Sequence, residues 1–290
     1  MDKKTTNNAE NIKIAAGVLG LVILFAAASV AFYINRDAIY IFLRGEAKEA
    51  REPNENKPAQ NPTRSSNTSN SSDIFEAFDP FDPFEPMNLS GYFKNILFLG
   101  DSIVSGLELC KDSTVVSGEK VLREAAVVAA VNYSLKNAVS EVSQNSVNLV
   151  YAGKAMRPED IISQSDNKYV FICLGLNDFY GTPLDEYIEN YGRLVANIKA
   201  KNPDKAIAVL SVTPLVAGQR HGFMTNQLIT EANSRLMEFA AVEDLYFIDW
   251  AAAIRDENNA LYENLCSDGF CHLKPEAYRR LAEYLAGVLG

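Results

Sequence analysis

Apolar and polar positions divide the chain into three stretches. Residues 14–35 carry no charge and are almost wholly apolar. As a helix rising 1.5 Å per residue they would reach about 30 Å, the hydrocarbon thickness of a bilayer. The run is longer than the roughly 7 to 15 apolar residues of a cleavable signal peptide, although Ser29-Val30-Ala31 offers a peptidase small side chains. It predicts an uncleaved transmembrane signal anchor behind a polar tail, residues 1–13. Lys3, Lys4 and Lys13 precede the run, and Arg36, Arg44, Lys48 and Arg51 follow it. That is close to a tie in positive charge, and the short arm favours a cytoplasmic N-terminus with the remaining chain outside the cytoplasm.

Residues 36–92 follow as a linker in which, from Glu46 to about Tyr92, the composition shifts to Asn, Pro, Ser, Thr and Glu, and positions 61–72 hold almost no apolar group. Such a segment cannot bury enough surface to fold, and it predicts a flexible acidic and polar linker. Within it, Phe78-Asp-Pro-Phe-Asp-Pro-Phe-Glu-Pro86 alternates aromatics with acids and prolines. The prolines exclude a regular helix or a central strand. The motif suits either docking to a protein partner or a strap laid on the folded domain.

From residue 93 onward short apolar runs alternate with longer amphipathic segments, the pattern of a mostly parallel sheet covered on both faces. Strands are predicted at 96–99, 126–131, 168–174, 206–212 and 245–249. Thr182-Pro183 starts a helix in which Leu184, Ile188, Tyr191, Val195 and Ile198 share one face. Two more helices are predicted at 226–241 and 275–288, and the helical connections imply right-handed crossovers. Residues 93–290 are therefore expected to form a three-layer α/β/α sandwich around a five-stranded sheet.

Composition changes this picture only at its edges. With 290 residues and 48% hydrophobic content, the chain can build one sizeable core plus appendages. A net charge of −10 argues against a nucleic-acid partner, which would require a basic face. Cys110, Cys173, Cys266 and Cys271 are too few and scattered for a disulfide scaffold. Cys173 lies in a core run. Cys266 and Cys271 flank a tight segment that an oxidising compartment could close. A metal site at Cys266, Cys271 and His272 has suitable ligand types but no evident fourth ligand and an unusual spacing.

Candidate chemistry sits where apolar runs meet small polar turns. Gly100-Asp101-Ser102 follows the first strand, Gly175-Leu176-Asn177-Asp178 follows the third, and Asp268-Gly269-Phe270-Cys271-His272 precedes the last helix. Taken singly, Asp101 and Ser102 read as a helix cap and Gly-x-Asn-Asp as a turn. In this order, on these elements, the three clusters resemble the SGNH (GDSL-type) hydrolase family over residues 93–290. The resemblance implies a flavodoxin-like fold and a serine esterase that needs no metal or organic cofactor.

Ester cleavage by a hydroxyl needs a base for its proton and donors for the oxyanion that develops. The resemblance implies Ser102 as nucleophile, His272 as base and Asp268 as the acid that orients it. The family usually sets two residues between acid and histidine, whereas three stand here. Either a bulged turn restores the contact, or the enzyme works as a serine–histidine pair. For the oxyanion hole the resemblance points to the Ser102 N–H, the Asn177 side chain, and an N–H from a loop usually led by glycine after the second strand. Asn132 takes that place here, asparagine being tolerant of the left-handed region, and Gly153 in Tyr151-Ala-Gly-Lys154 is its rival. Asp101 and Asp178 are expected to support these turns. His221, in the loop Gly218–Gly222, reads as surface or substrate rim.

The implied substrates are small acyl esters, often acetyl, on carbohydrate or cell-envelope polymers, with lipid esters also found among relatives. Acyl transfer to a sugar hydroxyl would use the same acyl-enzyme. A non-catalytic binding or scaffold protein on the same fold is the reading from another class.

Overall fold

The structure is a computed structural model that describes residues 89–289. The predicted tail, anchor, aromatic motif at 78–86 and the linker as far as residue 88 lie outside the described residues. Among the described residues no helix is long and apolar enough to cross a membrane. Residues 89–92, expected to end the linker, instead open the folded domain as the start of helix α1, Leu89–Lys94. The reason is local: Phe93 is fully buried, and Ser90 donates from its N–H and hydroxyl to Glu119 Oε2 at 3.0 and 2.6 Å.

Five strands form one parallel sheet. They are β1 (Ile96–Gly100), β2 (Ala126–Ala129), β5 (Tyr169–Cys173), β6 (Ala206–Leu210) and β7 (Tyr246–Ile248), in the order β2-β1-β5-β6-β7. Every residue of β1 is buried, as expected of a central parallel strand covered on both faces. The helices are α2 (Ser102–Cys110), α3 (Leu135–Ala138), α4 (Pro158–Ser163), α5 (Leu184–Lys201), α6 (Asn226–Val242) and α7 (Pro275–Leu289). Helix α2 packs on α7, while α3 and α4 pack on α5 and α5 on α6. The chain winds one way from β1 to β2 and the other way from β5 to β7, so the sheet has a switch point between β1 and β5. Ligands of open α/β sheets bind at the carboxyl ends of the strands at such a point.

Register carries this further. Gly100, the last residue of β1, lies opposite Ala129 on β2 and Cys173 on β5. The three loops that follow therefore leave the sheet side by side. A Cβ at position 100 would sit 2.4 Å from the Cys173 carbonyl oxygen and 2.3 Å from Val104 Cγ2, so only glycine permits this approach.

Three details differ from the sequence reading. Strands β2 and β6 each stop two residues early, β2 because the chain turns at Asn132 with φ +61. Residues 149–156 form an unforeseen hairpin, β3 (Leu149–Tyr151) with β4 (Lys154–Met156). Helix α5 buries Tyr187, Tyr191, Leu194, Val195 and Ile198, whereas Leu184 and Ile188 are only half-buried. The rotation brings the Tyr187 and Tyr191 hydroxyls onto the carbonyl oxygens of Leu174 and Ile172, at 2.9 and 3.2 Å.

Candidate active site

Asp101 and Ser102 begin α2 at the end of β1. Asp101, not Ser102, is the cap: its Oδ1 accepts the Ile103 N–H at 2.9 Å. Ser102 is thus left as the first helical residue, half-buried, with its hydroxyl free for other work. Its backbone N–H belongs to the helix terminus, where unpaired donors and the helix dipole favour negative charge.

Position 272 is 170 residues away in the chain, yet Ser102 Oγ lies 3.2 Å from His272 Nε2. The other ring nitrogen, Nδ1, lies 2.6 Å from Asp268 Oδ2. A carboxylate can only accept, so Nδ1 carries the imidazole proton and Nε2 presents a lone pair to the serine. The three-residue spacing from Asp268 to His272 is accommodated by a turn in which the acid itself is the anchor. Gly269 sits at φ +72, and Asp268 Oδ1 accepts the N–H groups of Phe270, Cys271 and His272 at 2.9, 3.0 and 3.2 Å. One carboxylate oxygen thus ties the turn and the other holds the ring. Burial alone would raise the Asp268 carboxyl, but the bonds from the His272 ring and the Phe270 N–H hold it well below the usual carboxylate range.

The turn is fastened at both ends. Ser267 N–H donates to the His272 carbonyl at 2.8 Å and Lys274 N–H to that of Leu265 at 2.8 Å. Helix α7 follows directly, and its Tyr278 hydroxyl donates to the Ile103 carbonyl in α2 at 3.0 Å. The serine's helix and the histidine's loop are therefore joined through a buried contact.

The loops after β2 and β5 complete the group. Asn177 is half-buried, and its Nδ2 donates to the Tyr133 carbonyl at 3.0 Å with a longer contact of 3.4 Å to Asp101 Oδ2. The adjacent Asp178 is buried, and both its carboxylate oxygens accept the Leu135 N–H, at 3.1 and 3.0 Å. It thereby caps α3 from across the site and fixes residues 130–134. Asn132 stands in that loop, exposed and at φ +61. Burial pushes the Asp178 carboxyl up to about 6 and the Asp101 carboxyl up to about 7, the latter raised further by the neighbouring Asp178.

Gly153 is placed elsewhere. Together with Ala152 it makes the exposed two-residue tip of the β3–β4 hairpin, at φ +76 and +48. Both positive angles suit a type I′ turn, and tight hairpin closure accounts for the glycine. Of the two loops weighed for an oxyanion donor, only that of Asn132 is bonded to the Asp101 and Asn177 turns among the described residues.

All four cysteines are free thiols. Cys266 Sγ donates to Asp268 Oδ1 at 3.2 Å, and burial, then the nearby Asp268, pushes the Cys271 thiol up to about 12.

The sequence reading of His221 as surface or substrate rim did not extend to its aromatic neighbours. The Tyr180 ring, 60% exposed, stacks on His221 with centroids 4.9 Å apart. His221 in turn meets Phe270 edge-on at 6.2 Å. These residues come from the loops after β5 and β6 and from the Asp268 turn itself. The only linear signals were an aromatic two residues after Asp178 and another two residues before His272.

Residues 98–280 match the sequence profile of the GDSL-like Lipase/Acylhydrolase family. No curated protein matches the chain. Solved structures share the fold at low identity. A Streptococcus pneumonia protein assigned provisionally as a platelet activating factor is 19% identical, with TM-score 0.52, over 70% of this chain and 91% of its own. A Bacteroides fragilis protein assigned provisionally as an acylhydrolase is 16% identical, with TM-score 0.51, over 68% and 86%. A GDSL-like lipase from Bacteroides thetaiotaomicron is 17% identical, with TM-score 0.50, over 70% and 98%.

Proposed function

Since the chain belongs to the GDSL-like lipase/acylhydrolase family and is an SGNH hydrolase, we propose that it removes small acyl groups, chiefly acetyl, from carbohydrate or cell-envelope esters. The observation that carries this reading is the continuous line from Ser102 Oγ through His272 to Asp268, at 3.2 and 2.6 Å. Ser102 attacks the acyl carbonyl as its proton passes to His272 Nε2, and Asp268 stabilises the imidazolium that forms. The N–H groups of Ser102 and Asn132 and the Asn177 amide receive the oxyanion. The Asn177 hydrogen held only by the 3.4 Å contact to Asp101 is the one free to turn toward it. His272 then protonates the departing alcohol, and a water deprotonated by the same ring releases the acid.

The sugar preference is supported by the Tyr180–His221–Phe270 rim, an aromatic shelf whose Phe270 shares the Asp268–His272 turn, of the kind that takes the apolar face of a pyranose. We place the domain outside the cytoplasm, held to the membrane by residues 14–35. The test is labelling by a fluorophosphonate probe. Wild type should label and Ser102→Ala should not; failure of the folded wild type to label, or persistence of labelling in the variant, would sink the catalytic reading and favour a scaffold. Release of acetate from acetylated polysaccharide and of fatty acid from lysophospholipid separates carbohydrate from lipid substrates, and acetate release with and without a sugar acceptor separates hydrolysis from transfer.

A further inference from the structure

Among the described residues one group of three side chains has its donor atoms close enough together that it could hold a metal ion. A carboxylate oxygen of Asp268, Cys271 Sγ and His272 Nδ1 all lie within 4.8 Å of one another. They stand at i, i+3 and i+4, brought together by the turn that Gly269 opens at φ +72. The cysteine pattern in the sequence suggested a different trio, but Cys266 is turned onto Asp268 Oδ1 and Asp268 replaces it. An oxygen, a thiol sulfur and an imidazole nitrogen suit zinc in particular.

We propose that Asp268, Cys271 and His272 form an inhibitory zinc site that switches the active site off by capturing Nδ1 of His272. The effect on turnover rests on the esterase reading above; the donor geometry does not. Tetrahedral zinc with bonds of about 2.0 to 2.3 Å sets nitrogen and sulfur about 3.6 Å apart, and nitrogen and oxygen about 3.4 Å apart. The present separations are 4.0 Å and 2.6 Å. The sulfur therefore closes by roughly 0.4 Å and the oxygen withdraws by roughly 0.8 Å. Asp268 can make that movement through Oδ2 alone, because Oδ1 carries the bonds to the turn. The side chains of His272 and Asp268 are 48% and 37% exposed, which leaves room for water as the fourth ligand.

The proton balance explains the inhibition. On coordination the Cys271 thiol releases one proton to solvent, and the imidazole proton moves from Nδ1 to Nε2. His272 stays neutral, but Nε2 now donates toward Ser102 Oγ instead of accepting from it. The ring can no longer take the hydroxyl proton.

The experiment is a zinc titration of the full-length protein and two serine variants, followed by ester turnover and, separately, by the thiolate-to-metal absorption of cobalt(II) used as a zinc analogue. Wild type should lose turnover with zinc and regain it with EDTA. Cys271→Ser, whose side chain makes no bond to Ser102 and meets the His272 ring only through the 4.0 Å Sγ–Nδ1 separation, should keep its basal turnover and need at least about tenfold more zinc for half inhibition, since even an outer-shell change costs a metal site 10- to 100-fold. Cys266→Ser should behave as wild type. The cobalt thiolate band should appear in wild type and vanish in Cys271→Ser. Equal zinc sensitivity in Cys271→Ser, or active wild type with neither inhibition nor the band, overturns the proposal. A band on a protein that turns over no ester would keep the metal site and reject the esterase reading instead. Cys271→Ala is the second variant should serine disturb folding, judged by its melting curve.

Discussion

Asp268→Asn probes whether the long acid–histidine spacing still yields a working acid. The substitution keeps an oxygen to accept the N–H groups of Phe270, Cys271 and His272, so the turn should survive. What changes is the group beside His272 Nδ1, now 2.6 Å from a carboxylate oxygen. A charge pair at that distance is worth about 6 kcal/mol at an effective dielectric of 20 and about 1.6 kcal/mol at that of water. Both side chains are more than a third exposed, and solvent screening draws the useful figure to about 3 kcal/mol. Since this stabilises the imidazolium only as it forms, kcat should fall roughly 100-fold while KM stays put. The loss of about 10⁴ seen in a protease whose acid is buried marks the upper limit. Steady-state hydrolysis of p-nitrophenyl acetate gives the number, with a melting curve to show that the variant is folded. A loss below about threefold would mean that Ser102 and His272 work as a pair and that Asp268 only ties the turn.

Three further outcomes follow from the same geometry. Asp101 is buried with its carboxyl pushed up to about 7, so the folded protein holds a proton that the unfolded chain gives up near pH 4. This group therefore costs stability progressively as pH rises from about 4 to 7, by about 4 kcal/mol at most. Asp101→Asn keeps the cap and escapes that cost, so its urea-measured stability relative to wild type should rise between pH 5 and pH 8; a constant difference would contradict it. At Asn132, with φ +61, a glycine should leave kcat near wild type. Valine there should cost about 1 to 2 kcal/mol of strain and, if the N–H is displaced, up to the 10²- to 10³-fold in kcat that one oxyanion donor supplies. Tyr180→Ala should raise KM for an acetylated oligosaccharide about threefold to tenfold and leave aryl acetate turnover unchanged; equal effects on both substrates would remove the rim from sugar recognition.

The sheet was readable because strands such as β1 and β5 are covered on both faces and so appear as unbroken apolar runs. Their order, and hence the meeting of three loops beyond Gly100, Ala129 and Cys173, is a property of pairing that no single run contains. Helix α5 shows the limit of periodicity: Ile188 fits an apolar stripe, but Tyr187 takes the buried place because its hydroxyl finds the Leu174 carbonyl. At the site, Ser102, Asn177 and His272 were legible as residue types following strand ends or preceding a helix. The bond from His272 to Asp268 was not, since spacing alone does not say that one carboxylate oxygen will fold the turn while the other meets the ring. The same limit hid the company of His221 in the rim, Tyr180 and Phe270, which are its neighbours only after three loops have been packed.

The contact between α2 and α7 also sets an order in time. Ser102 leaves the ribosome with β1, but His272, the base we propose for it, arrives 170 residues later, which at about 5 to 20 residues per second is roughly 10 to 30 s of synthesis. Throughout that interval the hydroxyl has no base to activate it. Reactivity can appear only when the segment carrying His272 and Tyr278 docks against the helix that begins at Ser102. On that proposal the nascent chain is its own zymogen, and its activation step is the docking of the helix Pro275–Leu289.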